Sequence, residues 1–271
     1  MAIITKIAVQ KKNQERFMVY IEKENGEEVA LSVDQDVLIQ FRLKKGMEID
    51  ELDLQEIVYA DEVQKAYHTA LYFLSYRMRS EKEIIDYLKK KGIAEAVIRD
   101  VLHKLRENRY VNDREFAYAY VRTQKQTTTK GPVVIRSELE KFGIAEEWVE
   151  ESLQLFTFEE QLEVARKLYE KAKKQQKKLS SQQWKQHVRQ LLHRKGFSQN
   201  VIDHIIVACI ERQDDEQEWE ALEYHGRKAH RRYEKYDGYV YEQKMKQALY
   251  RKGFPLDMIE RFLQLLKEEQ S

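Results

Sequence analysis

The side chains with the clearest capacity for chemistry here are clustered cations, and the chemistry they offer is the binding of a polyanion. Between Arg166 and Lys195 stand Arg166, Lys167, Lys171, Lys173, Lys174, Lys177, Lys178, Lys185, Arg189, Arg194 and Lys195 against one acid, Glu170, with Tyr169 and Trp184 among them. Such a run can track a phosphate backbone while the rings pack on sugar or base. Both rings also fit the apolar stripe of a helix, so the run reads equally as a solvated helix pair. A second cluster, Arg227-Lys228-Ala229-His230-Arg231-Arg232-Tyr233, closes a helix, where cations are favourable against the dipole without any ligand. Lys89-Lys90-Lys91, Arg194-Lys195 and Arg251-Lys252 each precede a glycine and read either as simple partners of a helix C-terminal dipole or, by their recurrence on one edge, as a positive ridge. Arg77 and Arg79, just before Ser80, read either as a partner contact or as a buttress of a helix junction. The candidate DNA-binding set is Arg77, Arg79, Lys89, Lys90, Lys91, Lys173, Lys174, Lys177, Lys178, Arg189, Arg194, Lys195, Arg227, Lys228, Arg231 and Arg232.

Other chemistries lack their residues. There is no Gly-x4-Gly-Lys-Ser/Thr loop, no dinucleotide glycine pattern and no His-Glu-x2-His helix. The pairs His187/His193 and His225/His230 miss the i, i+4 spacing of a helical metal site. Without a glycine-rich turn or histidine partner, the many carboxylates read as solvated helix faces. The expectation is therefore a protein that is not an enzyme, with no catalytic residue, no metal and no cofactor. The single cysteine, Cys209, excludes an intrachain disulfide and reads as core. Formal net charge is only +1, so a nucleic-acid argument must rest on local clusters. No 18-residue apolar run occurs and the N-terminus has no signal-peptide pattern, which predicts a cytoplasmic protein without a membrane partner.

The elements that must position these side chains repeat. Leu88, Leu139, Leu192 and Leu249 are each followed by three residues, a glycine (Gly92, Gly143, Gly196, Gly253) and then Ile93, Ile144, Phe197 or Phe254. Apolar pairs recur downstream at Val97-Ile98, Trp148-Val149, Val201-Ile202 and Met258-Ile259, then at Val101-Leu102, Ser152-Leu153, Ile205-Ile206 and Phe262-Leu263. The glycines lie 51, 53 and 57 residues apart, room for three helices per repeat. Each glycine closes a helix in the left-handed conformation and the next apolar residue folds back on the last turn. Ser80 with Glu83 is a capping box, and Asn112, Thr157 and Asp214 each stand three residues before Glu or Gln. Helices are expected over 61–77, 94–107, 113–125, 159–178 and 214–236, with Pro132 and Pro255 in first turns. The polar stretch 124–129, with three threonines between Lys125 and Lys130, reads as a hinge between repeats. Tyr72, Tyr76, Tyr118 and Tyr120 read as packing residues.

Alternation in 3–9 and 17–21, a turn at 24–27 and a third run over 28–32 predict a small antiparallel sheet, with a short helix over 34–44. Few breakers (two Pro, nine Gly), 35% charged residues and a mean hydropathy of −0.74 favour an extended helical stack over a globule. The fold class expected is mainly α, tandem three-helix repeats forming a curved solenoid, with a small N-terminal α+β region. Its domains are 1–58 (β-rich), 59–110, 111–156, 157–212 and 213–271 (repeats one to four).

The stretch Ala70-Leu71-Tyr72-Phe73-Leu74-Ser75-Tyr76-Arg77-Met78-Arg79-Ser80, followed by Glu83, Leu88 and Gly92, resembles the first motif of the RecX family. Tyr110-Val111-Asn112-Asp113, Phe116-Ala117-Tyr118-Ala119-Tyr120-Val121 and Lys130-Gly131-Pro132, with Ile135, Leu139, Gly143 and Ile144, look like its second block. The match is close over 60–155 and looser beyond. The resemblance implies a regulator that binds the RecA recombinase, lodges in the groove of its nucleoprotein filament and restrains filament growth, ATP hydrolysis and strand exchange. That would place it in DNA recombination, DNA repair and the SOS response. The partners implied are the RecA filament and single-stranded DNA, with double-stranded DNA a further candidate, and the chain is expected to be a monomer. On this reading the cationic set above is the candidate filament-binding surface. Two other readings stand beside it: a direct nucleic-acid binder using its corners in DNA grooves, and a helical scaffold for an unrelated partner.

Overall fold

The computed structural model describes residues 2–11, 13–174, 178–210 and 215–270. Among these the chain is mainly helical, with thirteen helices and an N-terminal four-stranded antiparallel sheet. It divides into two compact units, Met1–Phe116 with Phe142–Ala145, and Ala117–Lys141 with Glu146–Ser271.

In the first unit, strands β1 (Ala2–Gln10), β2 (Asn13–Lys23), β3 (Glu28–Asp34) and β4 (Glu48–Ile49) take the order β3-β2-β1-β4, with helix α1 (Gln35–Gln40) between β3 and β4. Alternation puts Ile4, Val19, Ile21 and Val33 on one buried face, covered by Val37, Leu43 and Ile57. Helix α2 (Glu51–Leu74) starts ten residues earlier than expected. Its capping box is Asp50 with Asp53, an aspartate where the usual pattern has Glu or Gln. The early turns of α2 thus serve the sheet through Ile57, and the later ones the first helical triplet through Ala66 and Ala70. Buried Asp61 ties the two together, accepting the Asp34 N–H, Arg16 Nη2 and Lys65 Nζ, each at 2.8 Å. Burial raises its carboxyl pKa, but these three donors outweigh that and hold it below the ordinary value.

Helices α3 (Glu81–Lys90) and α4 (Glu95–Glu107) complete the first triplet around Ile84, Leu88, Val97, Val101 and Leu105. The remaining triplets are α5 (Asp113–Thr127), α6 (Pro132–Lys141) and α7 (Glu146–Leu153); α8 (Phe158–Lys173), α9 (Ser181–Arg194) and α10 (Gln199–Ile210); and α11 (Asp215–Tyr233), α12 (Gly238–Tyr250) and α13 (Leu256–Gln270). The capping residues at Ser80, Asn112 and Thr157 accept the backbone N–H three residues on, while the one expected at Asp214 lies outside the described residues. The stretch 124–129 is no hinge: α5 runs on to Thr127, Thr127 and Thr128 hydroxyls donate to backbone carbonyls four residues back, and Lys125 Nζ donates to Leu155 O and Glu160. Side chains rich in hydroxyls satisfied their own helix there, which composition alone does not reveal. Cys209 is half-buried, its carbonyl accepting the Tyr169 hydroxyl at 3.0 Å, because it lies toward the exposed end of α10.

All four corner glycines are left-handed, with φ between 77° and 85°. Backbone N–H groups of Ile93, Phe197 and Phe254 reach back to Leu88, Leu192 and Leu249 carbonyls. Three corners also serve a second purpose. The carbonyl before the glycine accepts a hydrogen bond from the N-terminus of the preceding triplet's second helix: Phe142 O from Ser80 Oγ (2.8 Å), Lys195 O from Gly131 N (2.7 Å) and Lys252 O from Ser180 Oγ. The approach is close enough that a Cβ on Gly143 would lie 2.8 Å from Lys82, on Gly196 2.7 Å from the Val134 nitrogen, and on Gly253 2.6 Å from Gln182. One glycine therefore closes its own helix and admits a neighbouring one.

Candidate interaction surfaces

The cationic set divides by what each side chain touches. Arg77 donates to Glu83 at 2.5 Å and to the Met78 carbonyl at 2.9 Å, and Arg79 donates to the same Glu83 at 3.2 Å while its guanidinium stacks 4.1 Å over Phe73. Glu83 is also the acidic half of the Ser80 capping box, so both arginines brace the α2–α3 junction. Lys89 pairs with Glu95 at 2.8 Å, Arg189 approaches Asp203 at 3.5 Å, and Arg227 bridges Glu223 and Glu269 at 2.9 and 3.0 Å. These cations are already neutralised to a degree, though at exposed sites such pairs are weak.

The others carry no carboxylate partner among the described residues. Lys91 lies over Tyr87 (5.6 Å), Lys173 over Tyr169 (6.0 Å), Lys178 over Tyr224 (3.7 Å) and Arg232 over Tyr233 (5.7 Å). Lys90, Lys174, Arg194, Lys228 and Arg231 are exposed, and Lys195 is half-buried. Lys177 lies outside the described residues. His225 Nε2 is 2.7 Å from the Lys178 carbonyl; burial, reinforced by the charges of Lys252, Lys228 and Lys178, lowers the ring's pKa against that hydrogen bond.

Of the two readings open for Tyr169 and Trp184 the core one holds, and among the tyrosines expected to pack Tyr72 and Tyr76 do not. Trp184 and Tyr169 are 2% and 3% exposed, core residues that no base can reach, because both fall on the inner stripe of their helices. Tyr72 and Tyr76, expected to pack, are 62% and 66% exposed and meet edge-to-face at 5.2 Å: Tyr72 is on the outer face of α2, whose Leu71, Phe73 and Leu74 take the core positions, and Tyr76 follows the helix end. Tyr118 and Tyr120 are half-buried, with the Tyr120 hydroxyl donating to Glu138. Among the described residues no group of His, Cys, Asp or Glu could hold a metal, and no helix is long and apolar enough to cross a membrane.

Fold and surface together define a tandem three-helix repeat protein whose exposed features suit binding. Family models cover most of the chain: the regulatory protein RecX N-terminal domain over residues 2–50, and the RecX first and second three-helix domains over 66–105 and 112–153. The third three-helix domain matches twice, over 159–206 and 215–263. A "Regulatory protein RecX" of Geobacillus sp. (strain WCH70) is 71% identical over 99% of this chain and 98% of its own length, and that of Geobacillus kaustophilus 51% identical over 98% of each. A crystal structure of regulatory protein RecX aligns with TM-score 0.67 and 38% identity over 76% of this chain and 98% of its own, and RecX from Lactobacillus salivarius with TM-score 0.53 and 38% identity over 55% and 97%. The chain belongs to the RecX family of regulatory proteins.

Proposed function

We propose that this chain binds the RecA recombinase and its nucleoprotein filament in the cytoplasm and modulates it, mainly by inhibiting filament growth, ATP hydrolysis and strand exchange. The observation that carries the reading is the run of family matches from the sheet through all four triplets. The mechanism is steric and electrostatic: a helical array laid on the filament obstructs subunit addition and duplex entry without covalent chemistry. The unpaired cations at Lys173, Lys174, Lys178, Arg194, Lys228 and Arg231 supply a surface for DNA within that filament, or, on the second reading, for DNA alone. Titrating the chain into RecA during single-stranded-DNA-dependent ATP hydrolysis tests both. Inhibition supports the regulator, and loss of activity well below equal stoichiometry indicates capping of filament ends over coating. Undiminished hydrolysis together with strong salt-sensitive binding to bare DNA would transfer the proposal to the second reading.

A further inference from the structure

An array whose every internal junction seats a glycine corner on the N-terminus of the preceding triplet's second helix leaves two such surfaces unmatched, a corner at its start and a helix N-terminus at its end. Both exist here. The first corner has the conformation of the others, Gly92 at φ +79°, yet a Cβ placed on it meets nothing within 4 Å. The same emptiness surrounds Gly238 at the start of α12, whose N-cap Asp237 is exposed and makes no capping hydrogen bond.

The third and fourth triplets can be compared position by position, since Ser180 precedes Gly196 by the same sixteen residues that separate Asp237 from Gly253. In that register Ser180, which donates to the Lys252 carbonyl, becomes Asp237, a carboxylate that only accepts. The polar positions Gln182, Gln183, His193 and Gln199 become Tyr239, Val240, Tyr250 and Leu256. These four are 75%, 49%, 61% and 52% exposed and line an open groove of about 560 Å³ together with Gln243, Gln247, Lys244, which lies over Tyr236, and Lys246, which Glu260 neutralises. A face that is polar where the array continues and apolar where it stops calls for a partner from outside the array.

The chemistry of that end selects the partner. Asp237 repels the bare carbonyl of an ordinary corner but attracts a cation. The first corner alone carries three consecutive lysines, Lys89-Lys90-Lys91, and Lys90 and Lys91 have no acidic partner among the described residues. Lys91 lies 5.6 Å over the ring of Tyr87, which stacks on Phe73, so an aromatic surface flanks those lysines as one flanks Asp237. We propose that copies of this chain associate head to tail, the Lys89-Lys90-Lys91 corner of one copy seated on Asp237 and Tyr239 of the next.

The contact is heterologous, so each added copy leaves one corner and one helix end open and growth continues past the dimer. A patch this small gives a weak contact, Kd about 10–100 µM, so the chain is a monomer when dilute. Sedimentation velocity of the full chain alone, from about 1 to about 300 µM at low salt, tests this independently of the RecA reading. The weight-average mass should climb beyond the dimer. Asp237→Lys, and separately Lys90→Glu with Lys91→Glu, should each remain monomeric with unchanged circular dichroism. An equimolar mixture of these two variants restores opposite charges at both kinds of interface, the original pair and its swap, and should recover association beyond the dimer. Tyr239→Gln, the residue the third triplet carries, should weaken association about tenfold. A wild-type monomer throughout, oligomers that survive either charge reversal, or a mixture that stays monomeric would overturn the proposal.

Discussion

Gly92 and Gly196 have nearly the same backbone conformation, φ +79° and +85°, in opposite surroundings. Alanine at Gly92 meets only the left-handed penalty, ~1–2 kcal/mol. At Gly196 the added methyl also meets the Val134 backbone at 2.7 Å, and overpacking adds ~1–3 kcal/mol. Urea unfolding of the two variants should therefore show the larger loss at Gly196, and equal losses would mean that the junction does not depend on close approach. The arginines separate in the same way. Arg79→Ala removes a guanidinium stacked on Phe73 and should cost about 1 kcal/mol, whereas Arg77, half exposed, should cost less. A DNA-binding loss in Arg79→Ala that vanishes once stability is restored would assign that residue to the scaffold.

At the scale of elements, some helix starts are held by side chains from elsewhere in the fold, and one such start is pH-sensitive. The first N–H of α3, on Glu81, donates to Asp113 at the start of α5 (2.8 Å). Burial raises the Asp113 carboxyl pKa, with Glu81 and Glu83 adding to the effect against the Glu81 N–H and Arg106. A carboxyl whose pKa rises on folding weighs against the folded state when ionised, and that cost fades as pH falls through its folded value toward the unfolded one. Asp113→Asn keeps an acceptor for Glu81, so it should raise the unfolding midpoint at neutral pH and lose the advantage in acid. Asp61 has the opposite sign: its stabilisation is present above the unfolded carboxylate value and lost as pH falls through its lowered folded one. Corner glycines, capping boxes and core stripes were legible in the sequence because each is a local pattern of a few residues. The second role of Ser80 and Ser180 was not, since their acceptors Phe142 and Lys252 lie 62 and 72 residues away. Nor was the start of α2, where Asp53 stands in for Glu, or the surface position of Tyr72 and Tyr76, since Leu71, Phe73 and Leu74 around Tyr72 take the core positions and the helix ends before Tyr76.

Across the whole molecule, 48 cations nearly balance 47 acids, so no long-range field draws this chain to a polyanion and any affinity must come from places where cations lack partners. The third triplet supplies such a place: Lys173 and Lys174 end α8 and Arg194 ends α9, all exposed and without carboxylate partners among the described residues. Each phosphate contact releases a counterion and contributes about 0.7–0.9 to the slope of log affinity against log salt. Replacing all three by glutamine should therefore flatten that slope by roughly 2 units for binding to RecA on single-stranded DNA, and weaken binding most at low salt. The folded core should be untouched, because none of the three is buried. Lys90→Gln should leave this slope alone while still impairing association between copies, since the first corner is assigned to a protein contact. An unchanged slope in the triple variant would place the filament contact on protein alone, and a flattened slope in Lys90→Gln would return the first corner to the DNA-facing set.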